Sequence, residues 1–493
     1  MKFSPSWAVV FSFLSAASLP AANVDYATIA DANAVVTGVR SDSATTDSVV
    51  LTARYASTMA GLYEGSLEGA LTAPSSSWHT LTPVFPNETV TSANFYGPNT
   101  YLFDPSLGAG NVVAVGTYYY TEGSPGPNAS HGLLYVGPIT GVGGTWTQID
   151  ATPLLHGMET LENTIAHSTM GNLVVGNYDT DLVTGKAFIY DRVNDTWRDL
   201  NPGNTTSVTA YGIWQNGGSS STSYTIAGGQ SSVNSSGIDE SYLVDYDSST
   251  HAFTNYTVFP YNNVPNSAIL AHFDGITGTS TGYNLTGFIT DVSTNPVSGF
   301  FVAVTRNANG GFTAGPWVNI AYPGSAVTTG NTIVENKVLG IYLSGGPHSY
   351  IATVLPGVDV SVKKNGARAT FTITNTGAAP DSFDLSRMIK VANSYNGPTP
   401  AKPGKSPLKI TYTLDGANIT KALEARTATT GSLAPGGSVN LVEKVTAKES
   451  LAFKRTVKTT IKAESATDAS QSDSAKVTLV VKPESGGDVS FGR

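Results

Sequence analysis

The stretch Asn172–Leu200, NLVVGNYDTDLVTGKAFIYDRVNDTWRDL, reads as three short strands separated by two polar turns, and most of the chain repeats it. A three-stranded unit of this length cannot bury both of its faces, so one copy alone would not fold and neighbouring copies must cover each other. Six segments match its first strand: Ser48–Tyr55, Asn111–Tyr119, Asn172–Asp179, Ser223–Gln230, Tyr283–Thr290 and Lys337–Ser344. Their starts lie 63, 61, 51, 60 and 54 residues apart. Each is followed by a second strand, and in five copies by a third, led by Trp78, Trp146, Trp197, Phe253 or Trp317.

One further short apolar segment precedes each copy after the first: Ser92–Tyr96, Thr164–His167, Thr209–Trp214, Ala268–Phe273 and Thr332–Glu335. Four strands per unit at this spacing predict an all-β fold, a six-bladed β-propeller over about residues 23–357. The sixth unit stops at Pro356 without an outer strand, while Val24–Ala30 is a spare strand near the N-terminus. A ring closed by that N-terminal strand removes both irregularities and leaves no open edge. The blade tryptophans are expected to fill the wedges between neighbouring blades. This region resembles secreted kelch-like propellers, and the GKAFIYD copy is similar to the bacterial extracellular HAF repeat. The likeness covers roughly Asn23–Gly357.

From Val358 the pattern changes to strict alternation, with Val358, Val360 and Val362, then Ala369, Phe371 and Ile373, on one face. Further alternating runs at Leu408–Leu414, Val439–Val445, Val457–Ala463 and Lys476–Val481, with weaker ones around Phe383 and Leu423, predict an Ig-like β-sandwich over 358–482. TNTGAAPDSFDL and LAPGGSVNL resemble the Ig-like modules of bacterial secreted and surface proteins. The tail 483–493 is expected to be disordered. Charge divides at the same boundary: residues 23–357 hold 7 Lys+Arg against 24 Asp+Glu, and residues 358–493 hold 19 against 12. So acidic a ring is a poor partner for nucleic acid.

Residues 1–22 carry a basic Lys2, a short apolar run from Trp7 to Leu14 and small residues after it, the layout of a secretory signal peptide. The expectation is therefore a secreted or cell-surface protein, and no stretch reaches the length of a transmembrane span. The chain has no cysteine, which excludes disulfides, thiolate metal sites and a cysteine nucleophile.

Candidate chemistry gathers where innermost strands would surround a channel. His167, His272 and Glu335 each stand at or near the end of such a segment, in TIAH, ILAH and TIVE, so residues distant in sequence could converge there. Two imidazoles and a carboxylate suit a divalent metal or an acid–base pair. His156 and Glu159, in the turn PLLHGMETLEN, could reach the same mouth. Asp179, Asp181, Asp245 and Asp247 read as turn carboxylates. Of the five arginines in this region, none is expected at an innermost-strand end. No nucleophile elbow, zinc-protease motif or phosphate loop is present. The sequence thus favours an extracellular recognition or scaffold protein without a required cofactor, using Gly/Ser/Asn/Tyr-rich loops such as Tyr119–Ser130 and Gln230–Asp239 to bind a glycan or another surface protein. The alternative is a hydrolase or lyase at the channel mouth, with a divalent metal as its candidate cofactor.

Overall fold

The computed structural model describes residues 24–482 apart from 43–47, 122–129, 232–239, 267, 293–295, 308, 356, 378–379, 394–407, 448–453 and 468–470. The expected signal peptide and C-terminal tail, and most of the two loops named above, lie outside the described residues.

After β1 (Val24–Thr28), the chain forms β-meanders of four strands. The first sheet holds β2 (Ala34–Ser41), β3 (Val49–Tyr55), β4 (Met59–Gly65) and β5 (His79–Leu81). The second holds β6 (Val90–Thr100), β7 (Asn111–Tyr120), β8 (His131–Pro138) and β9 (Thr145–Gln148). The third holds β10 (Leu161–Met170), β11 (Leu173–Thr180), β12 (Lys186–Asp191) and β13 (Thr196–Leu200). The fourth holds β14 (Val208–Gln215), β15 (Ser223–Gln230), β16 (Glu240–Asp247) and β17 (Ala252–Phe259). The fifth holds β18 (Ile269–Gly278), β19 (Gly282–Asp291), β20 (Val297–Arg306) and β21 (Phe312–Ile320).

The sixth sheet has only three strands of its own, β22 (Thr332–Val334), β23 (Lys337–Leu343) and β24 (Pro347–Val354). Its fourth is β1, paired antiparallel to β24 from Val24↔Val354 to Thr28↔Tyr350. Tyr26 is tied in further, its hydroxyl accepting from the Ala321 amide and its ring lying 5.6 Å from Tyr322.

Burial shows how the sheets cover one another. Val50, Leu62 and Ala60 of the first sheet share a core with Phe95 and Val112 of the second, and Val113 and Val115 of the second with Val174 and Phe188 of the third. The sequence continues through Val175 with Ile226, Leu243 with Leu285, and Phe301 with Val338. Val334 and Leu339 of the sixth sheet then pack with Val36 and Leu51 of the first, so the interfaces close into a cycle. The expected wedge role of the aromatic residues is met. Trp146 lies 4.6 Å from Tyr135, Trp197 4.6 Å from Tyr190 and Trp317 4.8 Å from Phe300, each in the core shared with the preceding sheet. Trp78 is buried in the closing core against Tyr63.

Two further antiparallel sheets follow. One contains β25 (Val358–Asn365), β26 (Arg368–Asn375), β28 (Leu408–Leu414), β29 (Ala417–Asn418) and β31 (Ser438–Ala447). The other contains β27 (Asp381–Asn393), β30 (Ala428–Leu433), β32 (Arg455–Ser465) and β33 (Ser472–Val481). They enclose a single core that includes Phe371, Ile373, Phe383, Leu441, Ile461 and Leu479, so the alternation read from Val358 onward does mark the inward face. The weak strand expected around Leu423 is instead the short helix Thr420–Ala425, whose Leu423 plugs that core. Among the described residues, no helix is long and apolar enough to cross a membrane.

Candidate functional site

The first strand of each of the first five sheets in the ring carries the same irregularity. The pairing slips by one residue between Val36 and Gly38, Phe95 and Gly97, Ala166 and Ser168, Ala210 and Gly212, and Phe273 and Gly275. In the sixth sheet the register also slips by one between Thr328↔Tyr342 and Thr332↔Leu339. Such a bulge inserts an unpaired residue and re-aims its side chain. The re-aimed residues are Thr37, Tyr96, His167, Tyr211 and Asp274, with Asn331 in the slipped segment of the sixth strand, and all six line one axial cavity of about 380 Å³. Small residues beside the bulges let adjacent strands touch: a Cβ on Gly38 would fall 1.9 Å from the Tyr96 carbonyl oxygen, and one on Gly275 2.8 Å from the Thr332 Cα.

One wall of the cavity is an arc of rings. Centroids run from Tyr96 to His167 at 5.2 Å, His167 to Tyr211 at 4.5 Å, Tyr211 to His272 at 4.7 Å and His272 to Phe288 at 4.5 Å. The lining also includes Thr37, Asn331, Thr332 and Asn94, with apolar contributions from Val35, Val39, Ile276 and Ile341. The Asn331 amide donates to the Val36 carbonyl at 2.9 Å, which fixes it across the closing interface. Exposure grades along the strands: Val35, Asn94 and Phe288 are half-buried and Arg54 is exposed, whereas Val39, Arg40, Pro98 and Ile276 are buried. The cavity is thus open at the Arg54 end and closed at the Arg40 end.

Arg40 closes it. Its Nε donates to the Pro98 carbonyl at 3.3 Å, and its Nη2 to those of Thr169 and Ile213 at 3.4 and 3.5 Å, so one side chain on β2 ties four sheets together. Its guanidinium also lies 5.5 Å from the Trp214 ring and 6.0 Å from that of Phe103. The expectation that no arginine stands at an innermost-strand end is therefore corrected. β2 precedes the first repeat copy, and Arg40 stands next to its last residue.

The expected convergence is met in part. His167 and His272 both line the cavity. Burial, opposed by a 2.7 Å hydrogen bond between Nε2 and Asn177 Oδ1 and reinforced by repulsion from His272, pulls the His167 imidazole down to about 3. It is consequently neutral at physiological pH, with Nε2–H donating to Asn177 and Nδ1 left as an acceptor. His272 Nδ1 lies 2.9 Å from Asp274 Oδ1. Burial raises the Asp274 carboxyl despite the opposing pull of His272.

Glu335 is not brought there. It occupies a left-handed turn, φ 53°, after β22, lies 3.5 Å from Lys337 Nζ, and borders a separate depression with Gly278 and Asn284. Nor do His156 and Glu159 line the cavity: His156 Nδ1 meets the Glu159 carbonyl at 2.8 Å, and the Glu159 carboxylate pairs with Lys186 at 2.6 Å. Among the described residues, no group of three or more His, Asp or Glu side chains is placed to hold a metal ion, so the triad of His167, His272 and Glu335 is not assembled.

Asp245, read as a turn residue, lies in β16 and is gripped by both terminal nitrogens of Arg306, at 2.7 and 2.8 Å. Asp179 and Asp247 lie at the ends of β11 and β16 and accept from the amides of Gly185 and Ser249 in the turns that follow, while Asp181 accepts from the amide of Thr160. What the sequence reading missed is a motif visible in it, an apolar or small residue, the inward residue, then usually glycine: VTG, FYG, AHS, AYG and FDG.

No protein-family model matches the chain, and no curated protein matches it. Among solved structures, it is similar to the extracellular domain of a hybrid two-component system from B. thetaiotaomicron, with 11% identity and a TM-score of 0.29 over 93% of this chain. The chain spans only 57% of that structure's length. It is also similar to YCF48 from Cyanidioschyzon merolae, with 11% identity and a TM-score of 0.27, over 72% of this chain and 96% of the other.

Proposed function

We propose that this chain is an extracellular recognition protein: a six-bladed β-propeller over residues 23–357, closed by its N-terminal strand, with an Ig-like sandwich over 358–482. Its ligand is a glycan. The reading moves the seat from the exposed loops to the axial cavity. The observation that carries it is the ring of six inward side chains, which combines an aromatic arc with amide and hydroxyl groups in a space of about 380 Å³. That volume lies within the range of small-ligand sites, and rings supply stacking faces while Asn, Thr and Tyr exchange hydrogen bonds with hydroxyls. Building the wall from six sheets also makes it rigid, which limits the ordering cost of binding.

The test is a glycan array followed by calorimetry on the full chain and on a Tyr211→Ala variant. Binding that the variant loses while keeping its thermal midpoint within a few degrees supports the axial seat. Binding that the variant retains in full places the ligand elsewhere.

A second reading, a hydrolase or lyase, draws on the 2.9 Å approach of His272 Nδ1 to Asp274 Oδ1, which sets a carboxyl beside an imidazole at the cavity wall. Turnover of any arrayed glycan, abolished by His272→Ala, would favour it over simple binding.

A further inference from the structure

The closed end of the cavity carries a charge that the fold does not neutralise. Arg40 is only 6% exposed, and among the described residues no Asp or Glu pairs with it. Burial alone lowers its pKa, to about 10, with no acid opposing the effect. Its hydrogen bonds to carbonyls are long and come from Nε and Nη2, with none from Nη1 among the described residues, and the residue lines the cavity. A buried cation without a counter-charge is costly, and bonds to neutral carbonyls do not balance its charge. The one carboxylate on the wall, Asp274, is already set against His272.

Resting on the axial seat proposed above, we infer that the ligand is a sugar acid whose carboxylate docks on the Arg40 guanidinium at the cavity floor. A guanidinium matches a carboxylate in shape and charge, and a desolvated, charge-assisted bond is among the strongest a site can offer. The rest of the cavity suits the rest of such a molecule. Tyr96 and Tyr211 supply rings to the cavity wall for the pyranose, and Thr37, Asn331 and Asn94 supply hydroxyl and amide groups for its hydroxyls. Arg54 stands at the open end, where it draws anions toward the mouth from a ring that is otherwise acidic.

The experiment is calorimetry of the full chain with glucuronate, its uncharged methyl ester and glucose, repeated on Arg40→Met. The expected result is that wild-type protein binds glucuronate at least about tenfold more tightly than either neutral sugar, and that Arg40→Met removes the preference. If all three bind wild-type protein within about twofold, the carboxylate anchor is wrong while the axial seat stands. A preference that persists undiminished in folded Arg40→Met also overturns the anchor. Should Arg40→Met fail to fold, the comparison of acid with ester on wild-type protein decides the matter by itself. If neither these sugars nor the arrayed glycans bind, the underlying recognition reading fails, and this inference with it.

Discussion

Replacing His167 with Gln removes a single titration from the ring wall and makes the fold more acid-resistant. In the folded chain burial holds this imidazole near 3, against about 6.5 for an unperturbed group. The folded value is the lower one, so as pH falls the unfolded chain takes up the proton first. The histidine therefore costs nothing above pH 7, and below about 6.5 it removes about 1.36 kcal/mol of stability per pH unit until about pH 3. At pH 5 that amounts to about 2 kcal/mol. Gln keeps an N–H for Asn177 Oδ1 and has no proton to gain. Other ionisable groups are present in both proteins and largely cancel in the difference. The assay is urea unfolding followed by tryptophan fluorescence, which reports the ring selectively because all six tryptophans precede residue 358. The gap between Gln variant and wild type should widen by about 2 kcal/mol from pH 7.5 to pH 5. Parallel losses in the two proteins would refute a histidine held neutral by the fold.

Three other outcomes follow from the packing. Deleting Val24–Thr28 strips the fourth strand from the sixth sheet, and the whole ring should melt well below the intact protein; an unchanged midpoint by circular dichroism would count against closure by β1. Trp78→Ala opens the closing core and should cost about 3–5 kcal/mol in chemical denaturation, whereas a loss below about 1 kcal/mol would mean the site collapses freely. Arg306→Met leaves Asp245 mostly buried and unpaired. Burial pushes that carboxyl up, but bonds from Arg306, Thr225 and Asn255 outweigh it and hold it below the usual range. The variant should lose about 3 kcal/mol at neutral pH and recover part of it on acidification, as Asp245 protonates; a pH-independent loss would contradict this account.

The ring was legible because its period is carried by apolar strands and polar turns, which survive even when almost no side chain is repeated. The orphan Val24–Ala30 segment and the missing outer strand after Pro356 together announced the closure. The site was legible only partly, for a reason of register. His167 and His272 end similar words, TIAH and ILAH, and counting by twos makes them equivalent. A bulge adds one residue, however, and the structural counterpart of His167 is Asp274, two positions beyond His272. Glu335 failed for a related cause: β22 is short, and the inward position of that sheet had already passed at Asn331. Arg40 was hidden because AVVTGVRS stands ahead of the first repeat copy, where no earlier unit flags it as an inner strand.

The axial seat is tested most directly by the ring-nitrogen spectrum of protein labelled with ¹⁵N-histidine. The chain has seven histidines, and of those only His167 and His272 line the cavity. Titration with glucuronate and glucose should move the signals of these two and leave His79, His131, His156, His251 and His348 in place. Saturable shifts confined to the latter five, with His167 and His272 unmoved, would contradict a ligand seat on the axis of the ring.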